Sequence, residues 1–276
     1  MGIVTVSVAV ARRPRAFVGA TGPEAADFLN RMVSNDVLSI ETGESCDALL
    51  LTAKGRVIAT LRVVRRDADD YLLLTEPELG HAVLDHLRRA RFAAKVELAL
   101  EPLESFLLLG PEASAPAGLL AIPTRDYALP GFEVIGTPDG GAPALSADEL
   151  ELLRIEAGTP RFGNEIDERI VPAEAGLEEQ AISFTKGCYP GQEPVARLHF
   201  RGHTNRRLRV LRIECGNLPE PETEILCDGR AVGRITSAAL AGGDVRALGY
   251  VRTEVPDDAE LRVDGAAARM MPPRRP

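Results

Sequence analysis

Cysteine is sparse in this chain: Cys46, Cys188, Cys215 and Cys227 are widely and unevenly spaced along 276 residues, and no two form a CxxC pair. That pattern supplies neither a disulfide framework nor a cysteine-only metal site, and it fits a reducing cytosol. Long hydrophobic runs are missing as well. The apolar start, Ile3 to Ala11, is too short to span a bilayer and has no basic segment before it, which argues against a membrane partner. Its alternation of Val4, Val6, Val8 and Val10 with small or polar residues reads as a strand. Positive charge is in deficit, with 32 Lys+Arg against 41 Asp+Glu and a net charge of −9, so a nucleic acid wrapped over the whole surface is excluded. Gly140-Gly141 and Gly242-Gly243 lack a phosphate-loop pattern and read as turns. What remains is an ordinary globular composition, 45% hydrophobic and 26% charged, long enough for two or three compact units sharing a core.

Local patterning orders these units. Thr21-Gly22-Pro23-Glu24 has capping-box spacing ahead of Ala25, Phe28, Leu29 and Met32, which share one helical face ending near Ser34-Asn35-Asp36. Ala48–Thr52 and Val57–Val64, split by Ala53-Lys54-Gly55-Arg56, lead with Tyr71–Thr75 into a strand meander. A helix follows from Pro77 to Ala90, then strands at Lys95–Leu100, Ser105–Gly110 and Phe132–Gly136, the last two separated by a Pro- and Ala-rich loop. Ser146 and Glu149 form a second capping box, and Gly158 suits the left-handed end of that helix. From Arg206 onward five short strands, with a hairpin turn at Asp228-Gly229, suggest a small barrel, and Pro272 to Pro276 are expected to fray.

The chemistry concentrates at Lys186-Gly187-Cys188-Tyr189-Pro190-Gly191-Gln192-Glu193. A lone cysteine is more often a small buried apolar residue. Here the polar, glycine-containing surroundings suit an exposed loop, and the Lys186 ammonium two residues away would favour the thiolate of Cys188. Pro190-Gly191 has the residues of a type II turn, and Pro194 is placed to open a short helix that ends at Gly202. Downstream, Arg197, Arg201, Arg206, Arg207, Arg209 and Arg212 fall in a stretch without acidic residues. They read equally as a solvated strand face or as an anion site, a weak tRNA contact among the possibilities. His199 and His203 lie four apart, a poor metal signature without an acidic partner, so no metal is expected.

The string from Lys186 to Glu193 resembles the KGCYxGQE signature of the YgfZ-type proteins, relatives of the T-protein (aminomethyltransferase) of the glycine cleavage system. The likeness extends through Phe28-Leu29, Ser34-Asn35-Asp36, Lys54-Gly55-Arg56, Leu153 to Gly158, Pro172 to Leu177, Val195-Ala196-Arg197 and Gly233 to Ser237. It implies an α+β, T-protein-like ring of two mixed α/β subdomains plus a small C-terminal β-barrel. Residues 1–205 would form the folate-binding region, with a second subdomain of roughly 46–105 inserted in the first, and 206–276 the barrel. It also implies tetrahydrofolate or a derivative as cofactor, with Glu174, Arg206 and Asn35 as candidate contacts. Cys188 and Lys186 would be the reactive pair, and Gly187, Tyr189, Gly191, Gln192, Glu193 and Arg197 the motif residues around them. The implied role is cytoplasmic support of iron–sulfur enzymes or their assembly factors, including tRNA-modifying ones. The alternative is a folate-dependent aminomethyl- or methyl-transferase. Against it, Gly55-Arg56-Val57-Ile58-Ala59-Thr60 lacks the aspartate that the aminomethyltransferases carry after the glycine turn.

Overall fold

The computed structural model describes residues 7–276. The expected strand at Ile3 to Ala11 lies partly outside them; within them β1 runs Ala9–Arg12. It joins β7 (Ser105–Leu109), β9 (Gly131–Ile135) and β8 (Leu120–Thr124) in a four-stranded antiparallel sheet of order β1-β7-β9-β8. Strand β8 lies in the segment read as an unresolved loop. Its Pro123 offers no N–H to a ladder, and a sheet edge is where a strand tolerates that.

A second sheet has the order β3-β4-β5-β2-β6, from β2 (Ala16–Thr21), β3 (Ser45–Leu51), β4 (Val57–Asp67), β5 (Asp70–Thr75) and β6 (Glu97–Glu101). One face is covered by α1 (Ala25–Met32) and α2 (Gly80–Ala90), whose Phe28, Leu29, Val83 and Leu87 pack on Val18, Leu50, Val63 and Leu73. The other face meets the first sheet, with Phe17, Val64, Leu72 and Leu74 against Ile122 and Ile135. The capping box expected at Thr21 does not form. Thr21 is still paired in the sheet, opposite Asp70 and Glu97, and the Glu24 carboxylate instead accepts the Lys95 backbone N–H at 2.8 Å.

Helix α3 (Ala147–Ala157) carries the second expected capping box, with Ser146 and Glu149 bonded reciprocally, and ends at Gly158 with φ 70°. After it come the short α4 (Glu178–Ala181) and α5 (Gln192–Arg201). The chain then closes a six-stranded barrel, β10 (Arg206–Ile213), β13 (Asp244–Arg252), β12 (Arg230–Ala241), β11 (Glu224–Cys227), β14 (Leu261–Val263) and β15 (Ala266–Met271). Sequence pattern yields five of these strands. The sixth, β15, reads Ala-Ala-Ala-Arg-Met-Met and takes its strand character from pairing with β10 and β14 rather than from its own residues.

Glu165 joins α3 to the barrel. Its side chain is fully buried, and it accepts from Arg154 at 2.9 Å, from Arg161 N at 2.9 Å, from Thr236 Oγ1 at 2.8 Å and from Ser237 Oγ at 2.6 Å. The Tyr250 hydroxyl donates to the Glu165 carbonyl at 2.9 Å. The segment expected to fray is seated on this joint, because Arg274 N donates to Glu156 O at 2.7 Å and Arg275 Nε to Ala157 O at 3.2 Å.

Candidate functional site

The cysteine loop lies between α4 and α5. Gly191 has φ 83° and ψ 2°, and Gln192 N donates to Tyr189 O at 3.3 Å, so Tyr189 to Gln192 form the expected turn. Helix α5 starts at Gln192, two residues earlier than its proline suggests. Pro194 falls in the first turn, where backbone N–H groups have no intrahelical acceptor and its missing donor costs nothing.

Three sets of contacts, made by two remote segments, fix the loop. The first is the turn after α1: Ser34 Oγ donates to Ala181 O at 2.5 Å and accepts from Leu49 N at 2.8 Å, while Ser183 N donates to Ser34 O at 3.0 Å. The second is the hairpin tip between β3 and β4. A Cβ on Gly191 would lie 2.4 Å from Thr52 O and 3.2 Å from Gly55 Cα, so the two chains meet backbone to backbone. The third is the end of α1, where the Lys186 ammonium donates to the carbonyls of Asn30, of Val33 at 2.8 Å and of Asn35 at 2.9 Å.

This last contact revises the role expected of Lys186. An ammonium has three donors, and all three are taken by carbonyls, which leaves none for the Cys188 sulfur. Burial brings the Lys186 amine down to about 8, and the nearby Asp36 carboxylate opposes the fall. Tyr189 is buried, its hydroxyl pushed up to about 12 by burial and then by Glu178. Cys188 itself is exposed, and Gly187 beside it has open space where a Cβ would stand. The loop is therefore anchored at both shoulders and bare at its tip. Cys46, by contrast, lies mostly inside, its thiol pushed up to about 12 by burial and then by Asp47.

The candidate folate contacts are bonded within the protein. Glu174 pairs with Arg206 at 3.2 Å, and that guanidinium lies 5.0 Å from the centre of the Tyr250 ring. The Asn35 amide donates to Asp47 O at 2.7 Å and Gln180 O at 3.1 Å, and its oxygen accepts from Asp36 N at 2.9 Å. Half of the arginine stretch is neutralised too: Arg206 by Glu174, Arg209 by Asp257 at 2.7 Å and Arg212 by Asp244 at 2.6 Å. Arg197, Arg201 and Arg207 are exposed, with no carboxylate partner among the described residues. Among those residues no group of three or more metal-ligating side chains occurs, and His199 stacks on Phe184 instead.

Beside the loop lies a cavity whose wall the sequence did not reveal. Arg13, Arg15, Asp47, Thr60, Arg62, Glu76, Asp126 and Gln180 line it, together with Leu49, Leu61, Leu74, Leu177 and Arg275. Arg15 binds Glu133 through Nε at 2.9 Å and Nη2 at 3.1 Å, Arg13 binds Glu76 at 3.0 Å, and Arg62 binds Asp47 at 2.8 Å. Burial alone would raise the Glu133 carboxyl, but Arg15 overrides it and holds the group at about 2. Thr60, at the end of the Gly55 to Thr60 segment, lines this cavity. In the sequence Arg13 and Arg15 stand out only as a basic pair around Pro14. Their acidic partners are 61 to 118 residues away and leave no local trace.

Comparison with known proteins bears on the fold and the family. Residues 17–128 match the GCVT N-terminal domain, and residues 205–275 match the CAF17 C-terminal beta-barrel domain. The chain has the fold of the glycine cleavage system aminomethyltransferase T from Bartonella henselae, at a TM-score of 0.85 and 18% identity, over 98% of this chain and 86% of that one. The tRNA-modifying protein YgfZ of Klebsiella pneumoniae is 26% identical over 93% of this chain and 89% of its own. That of Edwardsiella ictaluri is 30% identical over 89% of this chain and 85% of its own. With two such full-length relatives, a barrel of the CAF17 type and a T-protein-like body, the chain belongs to the family of the tRNA-modifying protein YgfZ.

Proposed function

We propose that this chain is a tetrahydrofolate-binding accessory protein that supports iron–sulfur enzymes, tRNA-modifying ones among them, through the exposed thiol of Cys188. The observation that carries the reading is the loop itself. Contacts from two remote segments hold Lys186 and Gly191, Tyr189 between them is buried, and the arrangement leaves a single cysteine bare at the tip. A structural thiol would be buried; a thiol framed this tightly and still exposed is suited to meet a partner or a reactive intermediate.

The chemistry of the cavity wall supports this choice of cofactor. Arg13 Nε is buried on its wall without a hydrogen-bond partner, and carboxylates, guanidinia and leucines stand side by side around it. A pterin presents both N–H donors and a carbonyl along one edge, and a flat apolar face. Asp47, Glu76 and Asp126 would take its donors, Arg13 and Arg62 its acceptors, and Leu49, Leu61 and Leu177 its face. Bound there, tetrahydrofolate would supply a one-carbon carrier. Aminomethyl transfer is the weaker reading, because Ala59 and Thr60 offer no carboxylate where the transferases use one.

Two measurements test the proposal. Calorimetric titration of tetrahydrofolate into the purified protein should show saturable binding that Arg62→Ala weakens; no heat would remove the cofactor. Cys188→Ser, as the sole copy in a strain lacking the gene, should lower the activity of a tRNA methylthiolation enzyme. Full activity would remove the thiol role.

A further inference from the structure

We propose that the outer face of α5 is a docking surface for an unpaired segment of RNA, with one base stacked on Phe200 and the flanking phosphates held by Arg197 and Arg201. The inference rests on the reading of the chain as a partner of tRNA-modifying enzymes and adds a contact of its own to it.

Helical spacing places these residues together. Arg197, Phe200 and Arg201 stand at i, i+3 and i+4, so they form one patch a single turn wide. Phe200 is 68% exposed, an unusual position for a phenylalanine unless something covers it. It does not stand alone. Its ring packs edge-on against His199, 4.8 Å between centres at 87°, and His199 stacks on Phe184 at 4.0 Å and 21°. Phe200 is thus braced from behind by two rings, and its outer face is left to solvent.

The charge around it points to a phosphate-bearing partner. No Asp or Glu occurs between Pro194 and Ile213, and Arg197, Arg201 and Arg207 have no carboxylate partner among the described residues. Two acids border the patch and are outnumbered by Arg197, Arg201 and Arg207. Glu178 already faces His199 at 3.7 Å, and Glu193, one turn before Arg197, forms no ion pair among the described residues. The chain as a whole carries −9, so a polyanion is repelled elsewhere and held only where local charge is positive. A ring flanked by cations is how proteins bind single strands, since every base offers a flat face and every nucleotide a phosphate. An acidic peptide would pair with the arginines but would make no use of the braced ring. A regular duplex keeps its bases stacked inside and could not use it either.

Anisotropy of labelled single-stranded RNA and of a blunt RNA duplex, titrated with the whole protein at several salt concentrations, tests this. Single-stranded RNA should bind at least about tenfold more tightly than the duplex, and Phe200→Ala should remove about tenfold without changing the salt slope. Phe200→Trp should keep the affinity. Arg197→Gln and Arg201→Gln should each lower the slope of log K against log salt by about 0.7. Binding of the duplex as tight as the single strand, or no effect of Phe200→Ala, would overturn the proposal. So would a Phe200→Ala variant that loses an iron–sulfur protein partner while binding RNA normally, since the face would then belong to a protein. Folate titration and Cys188 complementation do not depend on this contact, so its failure with those two intact would leave the proposed function standing.

Discussion

Two polar clusters in this molecule are built with equal care and end differently. At the Glu165 joint every strong donor meets an acceptor, and the site is closed off by α3 on one side and barrel strands on the other. In the cysteine loop the ammonium and the Ser34 hydroxyl are satisfied too, the buried Tyr189 hydroxyl has no partner among the described residues, and the Cys188 sulfur is left in solvent. Density of hydrogen bonds therefore does not separate a structural cluster from a functional one. What separates them is a reactive group that the cluster positions and does not cover.

Breaking the two clusters should give opposite results. Glu165→Ala removes the fully buried carboxylate shared by Arg154, Thr236 and Ser237, and should cost about 3–5 kcal/mol in urea unfolding. A loss under about 1 kcal/mol would mean that Glu151, which also binds Arg154 at 2.7 Å, suffices alone.

The cavity network should appear in the pH dependence of stability. Glu133 has its ordinary value near 4.5 in the unfolded chain and about 2 in the folded one, so above 4.5 its contribution is complete. As pH falls from 4.5 through 2 the unfolded state takes up a proton that the native state refuses, and stability declines. Glu133→Gln should flatten the decline by up to one proton's worth; identical slopes would show that the native carboxyl titrates normally.

Gly191→Ala is the next test. A positive φ and a Cβ 2.4 Å from Thr52 O should cost about 2 kcal/mol and loosen the loop, seen as faster alkylation of Cys188. Unchanged stability would mean that the hairpin tip yields easily. Cys188→Ser should have the smallest effect on stability, within about 0.5 kcal/mol, while producing the activity loss described above. A larger change would place the thiol among the structural groups.

How much of this was legible depended on distance along the chain. The helix from Ser146 to Gly158 announces itself because its cap, its apolar face and its terminating glycine lie within one short segment. The Pro190-Gly191 turn and the Asp228-Gly229 hairpin are local for the same reason, with φ 49° at Asp228 and 74° at Gly229. Thr21 misleads because a β-sheet claims it before the helix can, and β15 is silent because its neighbours make it a strand. The loop motif was visible as a string, together with the two segments that turn out to frame it, Ser34-Asn35-Asp36 and Lys54-Gly55-Arg56. What could not be read was the direction in which Lys186 points, since its carbonyl partners are about 150 residues upstream. The cavity wall was hidden for the same reason.

Those long spans have a kinetic meaning. The Ser34 contact to Ala181 closes a separation of 147 residues, and the Lys186 contact to Val33 one of 153. Contacts across such separations cost loop-closure entropy before they reward it, which slows folding. Any partner that recognises the framed loop rather than the bare thiol therefore engages only chains in which segments about 150 residues apart have come together.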